Sequence, residues 1–370
     1  MLKLEPSDAD ASADDRVREA RRALDHVAPL LEPAGARRLR RTLSCARDDV
    51  PTVDRMDVRI LSEPQQGACY DDMLAAAKLA EDAGFAGFFR SDHYLRMGTA
   101  SGLPGPTDAW VTLAGLARET TRVRLGTLVS PATFRHPAVL AISVAQIDQM
   151  SGGRVELGLG AGWYAEEHEA YGIPLDDAGR RFDVFTEQLA VVTGLWKTPP
   201  GETYSFHGTH YRLVDSPALP KPFQRPRPPV IIGGRGKRRT PELAAAYADE
   251  FNLAFAEVGT APEHFERVDA AARRIGRRPD TIVRSVSLLP AVGRTPAESA
   301  RRVDRLRRQL PKIPVGQLPD HMPTGSPAEL VDRIGRYESI GVSRVYLDLF
   351  DLSDLDQIEL IAAEALPQLG

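Results

Sequence analysis

Short apolar, β-branched runs recur along the chain, each followed by a longer stretch with helical periodicity. The strand-like runs are Val58–Leu61, Gly84–Phe89, Val123–Val129, Val155–Leu159, Val230–Ile232, Glu250–Ala254, Ile282–Leu288 and Val345–Leu349. Helical patterns fall at Tyr70–Ala83, Asp108–Glu119, Ala138–Met150, Arg180–Leu195, Glu242–Tyr247, Glu263–Ile275, Pro296–Gln309 and Pro327–Ile340. Alternation of this kind predicts an α/β fold with a parallel sheet and helical crossovers. Eight units across residues 56–370 predict a (β/α)8 TIM barrel with insertions. The alternative, an open doubly wound sheet, calls for fewer units.

Two stretches break the rhythm. Residues Lys197–Arg227 are rich in Pro, Gly, His and aromatic side chains. A connection this long inside a compact domain is commonly functional, and following the fourth unit it is expected to cover the site. A second insertion, Pro311–Pro323, separates the seventh and eighth strands. Residues 1–55 differ from the rest: they are rich in Ala, Asp and Arg and hold no strand-like run. They read as an N-terminal extension, partly helical (Asp14–Leu31) or mobile, and an over-long gene start is an equally plain reading. Residues 56–370 read as the barrel domain.

Composition narrows the function classes. The chain has 370 residues, 42% hydrophobic and 26% charged, as a globular protein with a sizeable core requires. A net charge of −4 supplies no basic field for nucleic acid, and the Arg37, Arg38, Arg40, Arg41 run reads as a solvated face. Two cysteines, Cys45 and Cys69, give neither a disulfide framework nor a zinc set; with no secretory signal at the acidic N-terminus, a cytoplasmic location is expected. No apolar run is long enough for a membrane span.

Active sites of such barrels lie at the C-terminal ends of the strands, so the residues after each strand are the candidates. After the second come Arg90-Ser91-Asp92-His93-Tyr94, where an Asp–His pair can exchange a proton near neutral pH. Alone, such a pair is more often structural, and its place at a strand end is what favours catalysis. After the third come Thr127-Leu128-Val129-Ser130-Pro131, a cofactor contact or a simple strand end. After the fourth, Gly158-Leu159-Gly160-Ala161-Gly162-Trp163 permits close approach of a planar ring or phosphate. The spacing does not fit the dinucleotide fingerprint, because Trp163 stands at the third glycine. It does look like the glycine motif of S-adenosylmethionine methyltransferases. After the fifth, Gly233-Gly234-Arg235-Gly236-Lys237-Arg238-Arg239-Thr240-Pro241 reads as an anion cradle at a helix start. His207 and His210 lack partners in metal-ligand spacing, so no metal site is expected. Trp110, Trp163 and Trp196 read as packing residues, with Trp163 also placed to line the pocket.

Taken in order, several segments resemble the luciferase-like monooxygenase family, and more narrowly its branch that uses the deazaflavin coenzyme F420. They are Ala80-Glu81-Asp82-Ala83-Gly84-Phe85, Ser91-Asp92-His93, Leu125–Pro131, Arg135-His136-Pro137, Ser151-Gly152-Gly153-Arg154, Leu157–Trp163, Gly233-Gly234 with Arg239-Thr240-Pro241, Ala248–Asn252 and Gly325-Ser326-Pro327. The resemblance runs from Met56 to the C-terminus. It implies a tricyclic ring in the barrel mouth, with His93 exchanging a proton with the substrate and Asp92 contacting the cofactor. It implies a cis peptide between Leu128 and Val129 behind the ring, with Ser130 on the cofactor. Gly160, Gly162 and Glu166 are then expected to line one side, and Gly233, Gly234 and Arg235 to hold the phosphate tail. One departure stands out: Trp163 occupies the place of an acidic residue in the family's sugar-phosphate dehydrogenases. A small apolar or aromatic substrate is expected instead.

The implied function is F420-dependent hydride transfer with a small organic substrate, in a chain expected to form a homodimer. The alternative in the same class is a monooxygenase using reduced FMN, which calls for a partner reductase. A methyltransferase needs an acidic residue at the end of the strand after the glycine motif. Here that region is helical and then Pro-rich. A catalytically dead cofactor-binding barrel is the last alternative, and His93 argues against it.

Overall fold

The computed structural model describes residues 56–310 and 319–369; the reading of residues 1–55 lies outside them. In chain order the elements are β1 (Asp57–Ser62), α1 (Tyr70–Asp82), β2 (Gly87–Arg90), α2 (Ala109–Glu119), β3 (Arg124–Thr127), β4 (Ser130–Pro131), α3 (Pro137–Ser151), β5 (Val155–Gly160), α4 (Ala165–Tyr171), α5 (Ala178–Lys197), β6 (Tyr204–His207), β7 (Arg212–Ser216), β8 (Val230–Gly233), α6 (Arg239–Tyr247), β9 (Glu250–Ala254), α7 (Ala261–Arg274), β10 (Val283–Leu288), β11 (Ala291–Val292), α8 (Pro296–Gln309), β12 (Thr324–Gly325), α9 (Pro327–Glu338), β13 (Arg344–Leu349) and α10 (Leu355–Glu364).

Eight parallel strands close on themselves in the order β1, β2, β3, β5, β8, β9, β10, β13. The third is interrupted at Leu128–Val129, a cis peptide, and resumes as β4 beside β5. Helix starts follow from local chemistry. Ser326 accepts from Glu329 N while Glu329 accepts from Ser326 N, satisfying two amides at once. Pro137, Pro296 and Pro327 stand in first turns, where no amide donor is needed. Gly152, left-handed at φ 71°, ends α3.

Outward strand residues such as Ile60, Phe88, Leu157 and Val345 pack under Met73, Leu113, Val144 and Leu189 of the helices. Strands covered on both faces are apolar on both faces, as Phe88-Phe89 shows. Inside the barrel, Leu61, Phe89, Leu128, Ile231 and Tyr346 form one apolar layer. Below it lies an ionic layer. Arg59 Nη1 is 2.9 Å from Glu156 Oε2, and Arg344 pairs with Asp57 and Glu250. Although burial alone pushes the other way, Arg59 and Arg124 hold the Glu156 carboxyl well below its usual range.

The motif Ser151–Arg154 is structural. The Arg154 guanidinium donates to the carbonyls of Ser151, Val123, Ala117 and Thr120, tying the end of α3 to the turn between α2 and β3.

The insertion Lys197–Arg227 corrects one expectation: its hairpin packs on the outside of the barrel rather than over its mouth, with Tyr211 against His136 at the start of α3. Its β6–β7 hairpin packs on α5, with Tyr204 Oη donating to Ala190 O at 3.2 Å. Gln224 donates to Val155 O, at the first residue of β5. A helix-to-strand connection returns to the N-terminal end of the barrel, opposite the rim that carries active sites.

Candidate functional site

At the C-terminal rim, β2 runs into Ser91, Asp92, His93 and Tyr94. His93 lies with Nδ1 3.2 Å from both carboxylate oxygens of Glu167 on α4. Glu167 is sealed from solvent and also accepts from Tyr94 N (2.6 Å) and Leu95 N (3.1 Å). Its carboxylate therefore fixes the chain leaving β2 as well as the imidazole. Burial disfavours the imidazolium, but the Glu167 hydrogen bond and the charges of Glu63, Glu167 and Asp92 outweigh it, so the His93 pKa is raised. With Nδ1 facing Glu167, Nε2 is the nitrogen left for another partner.

Asp92 and Ser130 are buried and bonded to each other, Ser130 Oγ donating to Asp92 Oδ2 at 2.6 Å. Arg135 bonds both Asp92 oxygens and reaches Tyr94 Oη and Asp108. Trp110 Nε1 donates to Ser130 Oγ at 3.1 Å. Both expected cofactor contacts thus stand just behind the rim surface, in a network that braces the β2 and β3 ends.

The ends of β5 and β8, two and three strands round from β2, are rich in glycine. Val129 points between β5 and β8: a Cβ on Gly160 would lie 2.9 Å from Val129 Cγ2, and one on Gly233 3.5 Å from Val129 Cγ1. On Gly158 it would collide with Thr127 O at 2.0 Å. The missing side chains let Val129 and the β3 backbone pack directly against these strands. Gly162 (φ 77°) turns the chain away from β5 against Thr133. Leu128 joins the apolar layer beneath.

Gly234 (φ 142°) carries the chain from β8 toward α6. The Arg235 guanidinium folds onto the carbonyls of Ala254 and Phe255 at the end of β9, and the first turn of α6 has no side-chain cap.

Glu166, the acid expected at the site, is exposed on α4; its neighbour Glu167 reaches His93 instead. The sequence offered no signal for this choice, since α4 has only seven residues and shows no periodicity. Trp163 is 64% exposed, stacked on Tyr164 at 5.1 Å, and both rings meet His93 edge-on at 6.0 Å. Trp110 and Trp196 are buried packing residues. Glu63 after β1, bonded by Gln65, was not singled out from sequence. Neither was the apolar group Leu289, Met322 and Phe350, with Phe255 packed against it, after β9, β10 and β13.

The sequence profile of luciferase-like monooxygenases matches residues 56–344. The F420-dependent hydroxymycolic acid dehydrogenase of Mycobacterium tuberculosis is 31% identical over 246 residues, 64% of this chain and 63% of that protein. The oxygenase component of the flavin-dependent trigonelline monooxygenase of Acinetobacter baylyi is 30% identical over 177 residues, 48% of this chain and 46% of that protein. Among solved structures, an F420-dependent secondary alcohol dehydrogenase in complex with an F420-acetone adduct superposes with a TM-score of 0.74 at 20% identity, over 85% of this chain and 99% of that one. The matched segments thus span about half to two-thirds of those relatives' lengths, while the structural match shows the shared barrel. On the profile match across most of its length, the chain belongs to the luciferase-like monooxygenase family.

Proposed function

We propose that the protein is an F420-dependent oxidoreductase that transfers hydride between deazaflavin and a small organic substrate. The observation that carries this reading is His93, held at the rim by the buried Glu167, with the glycine-rich ends of β5 and β8 on the same rim. The wall offers backbone and the Val129 side chain to a planar ring, because Val129 packs against the glycine faces of β5 and β8. Gly160, Gly162, Leu128 and Val129 shape that side. The backbone at Gly233, Gly234 and Arg235, with the uncapped first turn of α6, suits a phosphate-bearing tail. When bound, the cofactor supplies or takes the hydride. His93 exchanges the accompanying proton through Nε2, and its raised pKa keeps that proton available near neutral pH. Asp92, Ser130 and Arg135 hold the β2 and β3 ends in place. The exposed Trp163 beside His93 favours an apolar or aromatic substrate.

The second reading is an FMN-dependent monooxygenase supplied by a partner reductase, favoured by the similarity to the trigonelline monooxygenase component. The Asp92-His93 pair inclines the choice to F420. A homodimer would use α2 and α3, which pack together and expose Val111, Val139 and Ile142. A cytoplasmic location is supported by the low cysteine content. No described helix is long and apolar enough to cross a membrane.

The test is titration of the purified chain with F420 and with FMN, each oxidised and reduced. Tight binding of F420 alone supports hydride transfer, and His93→Ala should then lose turnover far more than binding. Tight binding of FMN alone moves the assignment to the monooxygenase. Binding of neither, with S-adenosylmethionine binding instead, overturns the proposal.

A further inference from the structure

Helix α4 carries Glu167 to His93, yet it has only seven residues. A helix so short draws its place from tertiary contacts rather than from its own hydrogen bonds. One set of contacts faces the chain leaving β2. Glu167 accepts from Tyr94 N and Leu95 N. Tyr171 Oη donates to Tyr94 O at 3.1 Å, and Tyr164 Oη, at the helix start, donates to Arg96 O at 2.9 Å. The irregular backbone of Tyr94, Leu95 and Arg96 thus finds its partners on α4, and the two hold together as one piece.

A second contact ties that piece to the barrel wall. His168, next to Glu167, is 2% exposed. Its Nδ1 lies 2.7 Å from Tyr164 O, a carbonyl that can only accept, so Nδ1 carries a proton. Its Nε2 lies 2.8 Å from Thr133 Oγ1, and in the neutral ring it accepts from that hydroxyl. Thr133 stands two residues past β4, where Gly162 leaves it room: a Cβ on Gly162 would lie 3.0 Å from Thr133 Oγ1. Phe134 packs on the same imidazole at 5.4 Å between ring centres and stacks on Tyr94 at 4.9 Å. Proton exchange at His93 uses neither His168 nor Thr133. Yet β4 begins with Ser130, directly after Val129. Any slip of α4 along β4 would shift Glu167, and with it His93, relative to the face read as the cofactor's.

We propose that His168 is a positioning residue for His93: its bond to Thr133 seats α4 on the β4 exit, and so fixes Glu167 against the imidazole. The inference rests on the reading of His93 as the proton-exchanging group. His168 acts only through Glu167, and Thr133 is the point on the barrel wall from which that chain of contacts is set.

The test uses the full chain and needs no substrate. Thr133→Val removes the hydroxyl with little change of shape. Amide hydrogen exchange should then quicken about tenfold at Tyr94 and Leu95, the factor expected when opening becomes easier by one ordinary hydrogen bond. Peptides of β1 and β13 should keep wild-type rates, which a general loss of stability would not allow. In the same variant the His93 pKa should fall, because burial lowers it and the Glu167 contact raises it; NMR titration of the histidine ring reads the shift. Thr133→Ser keeps the hydroxyl and should restore both readings. His168→Phe keeps a ring against Phe134 and should match Thr133→Val, with the double variant no worse than either alone. Thr133→Ala serves if Thr133→Val does not fold. Wild-type exchange and titration in Thr133→Val overturn the proposal. So do additive effects in the double variant, or a Thr133→Ser variant as impaired as Thr133→Val. If neither F420 nor FMN binds the chain, the hydride-transfer reading fails, while these readouts, which need no cofactor, still decide the role of His168.

Discussion

Glu167→Gln tests the central contact of the site with little change of shape. The glutamine carbonyl can still accept from Tyr94 N and Leu95 N, while its amide faces His93 Nδ1 where a carboxylate oxygen stood at 3.2 Å. The imidazole then loses a charged acceptor and is pressed toward the tautomer with its proton on Nε2. A hydrogen bond to a charged group contributes about 1.5–3 kcal/mol. Losing that contribution should lower the His93 pKa from its raised value. The assay is a pH titration of the histidine ring signals by heteronuclear NMR, with His93→Ala identifying the resonance. Stability gives an independent check of sign. A histidine whose folded pKa is raised contributes stability that is fully present below its unfolded value and is lost as pH rises through the folded value. The stability gap between wild type and Glu167→Gln should therefore be widest in acid and narrow above neutrality. A His93 pKa unmoved by the substitution, or a gap that widens with pH, would refute the reasoning.

Other substitutions separate cofactor space from scaffold. Gly160→Ala places a methyl 2.9 Å from Val129 Cγ2; overpacking costs about 1–3 kcal/mol, and cofactor affinity should drop about tenfold or more by fluorescence titration, with Val129→Ala restoring part of it. Arg135→Ala strands the buried Asp92 carboxylate, which should cost about 3–5 kcal/mol by chemical denaturation, and adding Asp92→Asn should recover part of the loss. Asp348→Asn should stabilise the protein as pH rises. The raised pKa of the native carboxyl makes wild-type stability fall between the unfolded and folded values, so melting temperatures should coincide near pH 4 and diverge by pH 8.

The barrel was legible because its signals are local and repeated. The run Glu250–Ala254 is β9 and the pattern Pro296–Gln309 is α8, each at the expected bounds. Errors fell where backbone geometry overrides pattern. The second strand starts at Gly87 rather than Gly84, because Gly84, at φ 89°, belongs to the turn that ends α1. The third strand reads as one apolar run, yet its pairing breaks at Leu128–Val129 and resumes at Ser130.

The sequence by itself determined the order of elements and placed the candidate residues, His93 and the glycines of β5 and β8, at the strand ends of one rim. Hydrophobic period and strand-end position are properties of short segments, and a closed parallel barrel converts them directly into place. Tertiary structure alone decided which acid serves His93, since Glu166 and Glu167 are adjacent in a helix of seven residues and the contact spans 74 positions. It also decided that the hairpin of the long insertion packs outside α5, with Tyr211 against His136, and that Leu61 and Asp348, 287 positions apart in number, lie in register. Such pairings depend on how distant strands close the ring, and no local pattern carries that information.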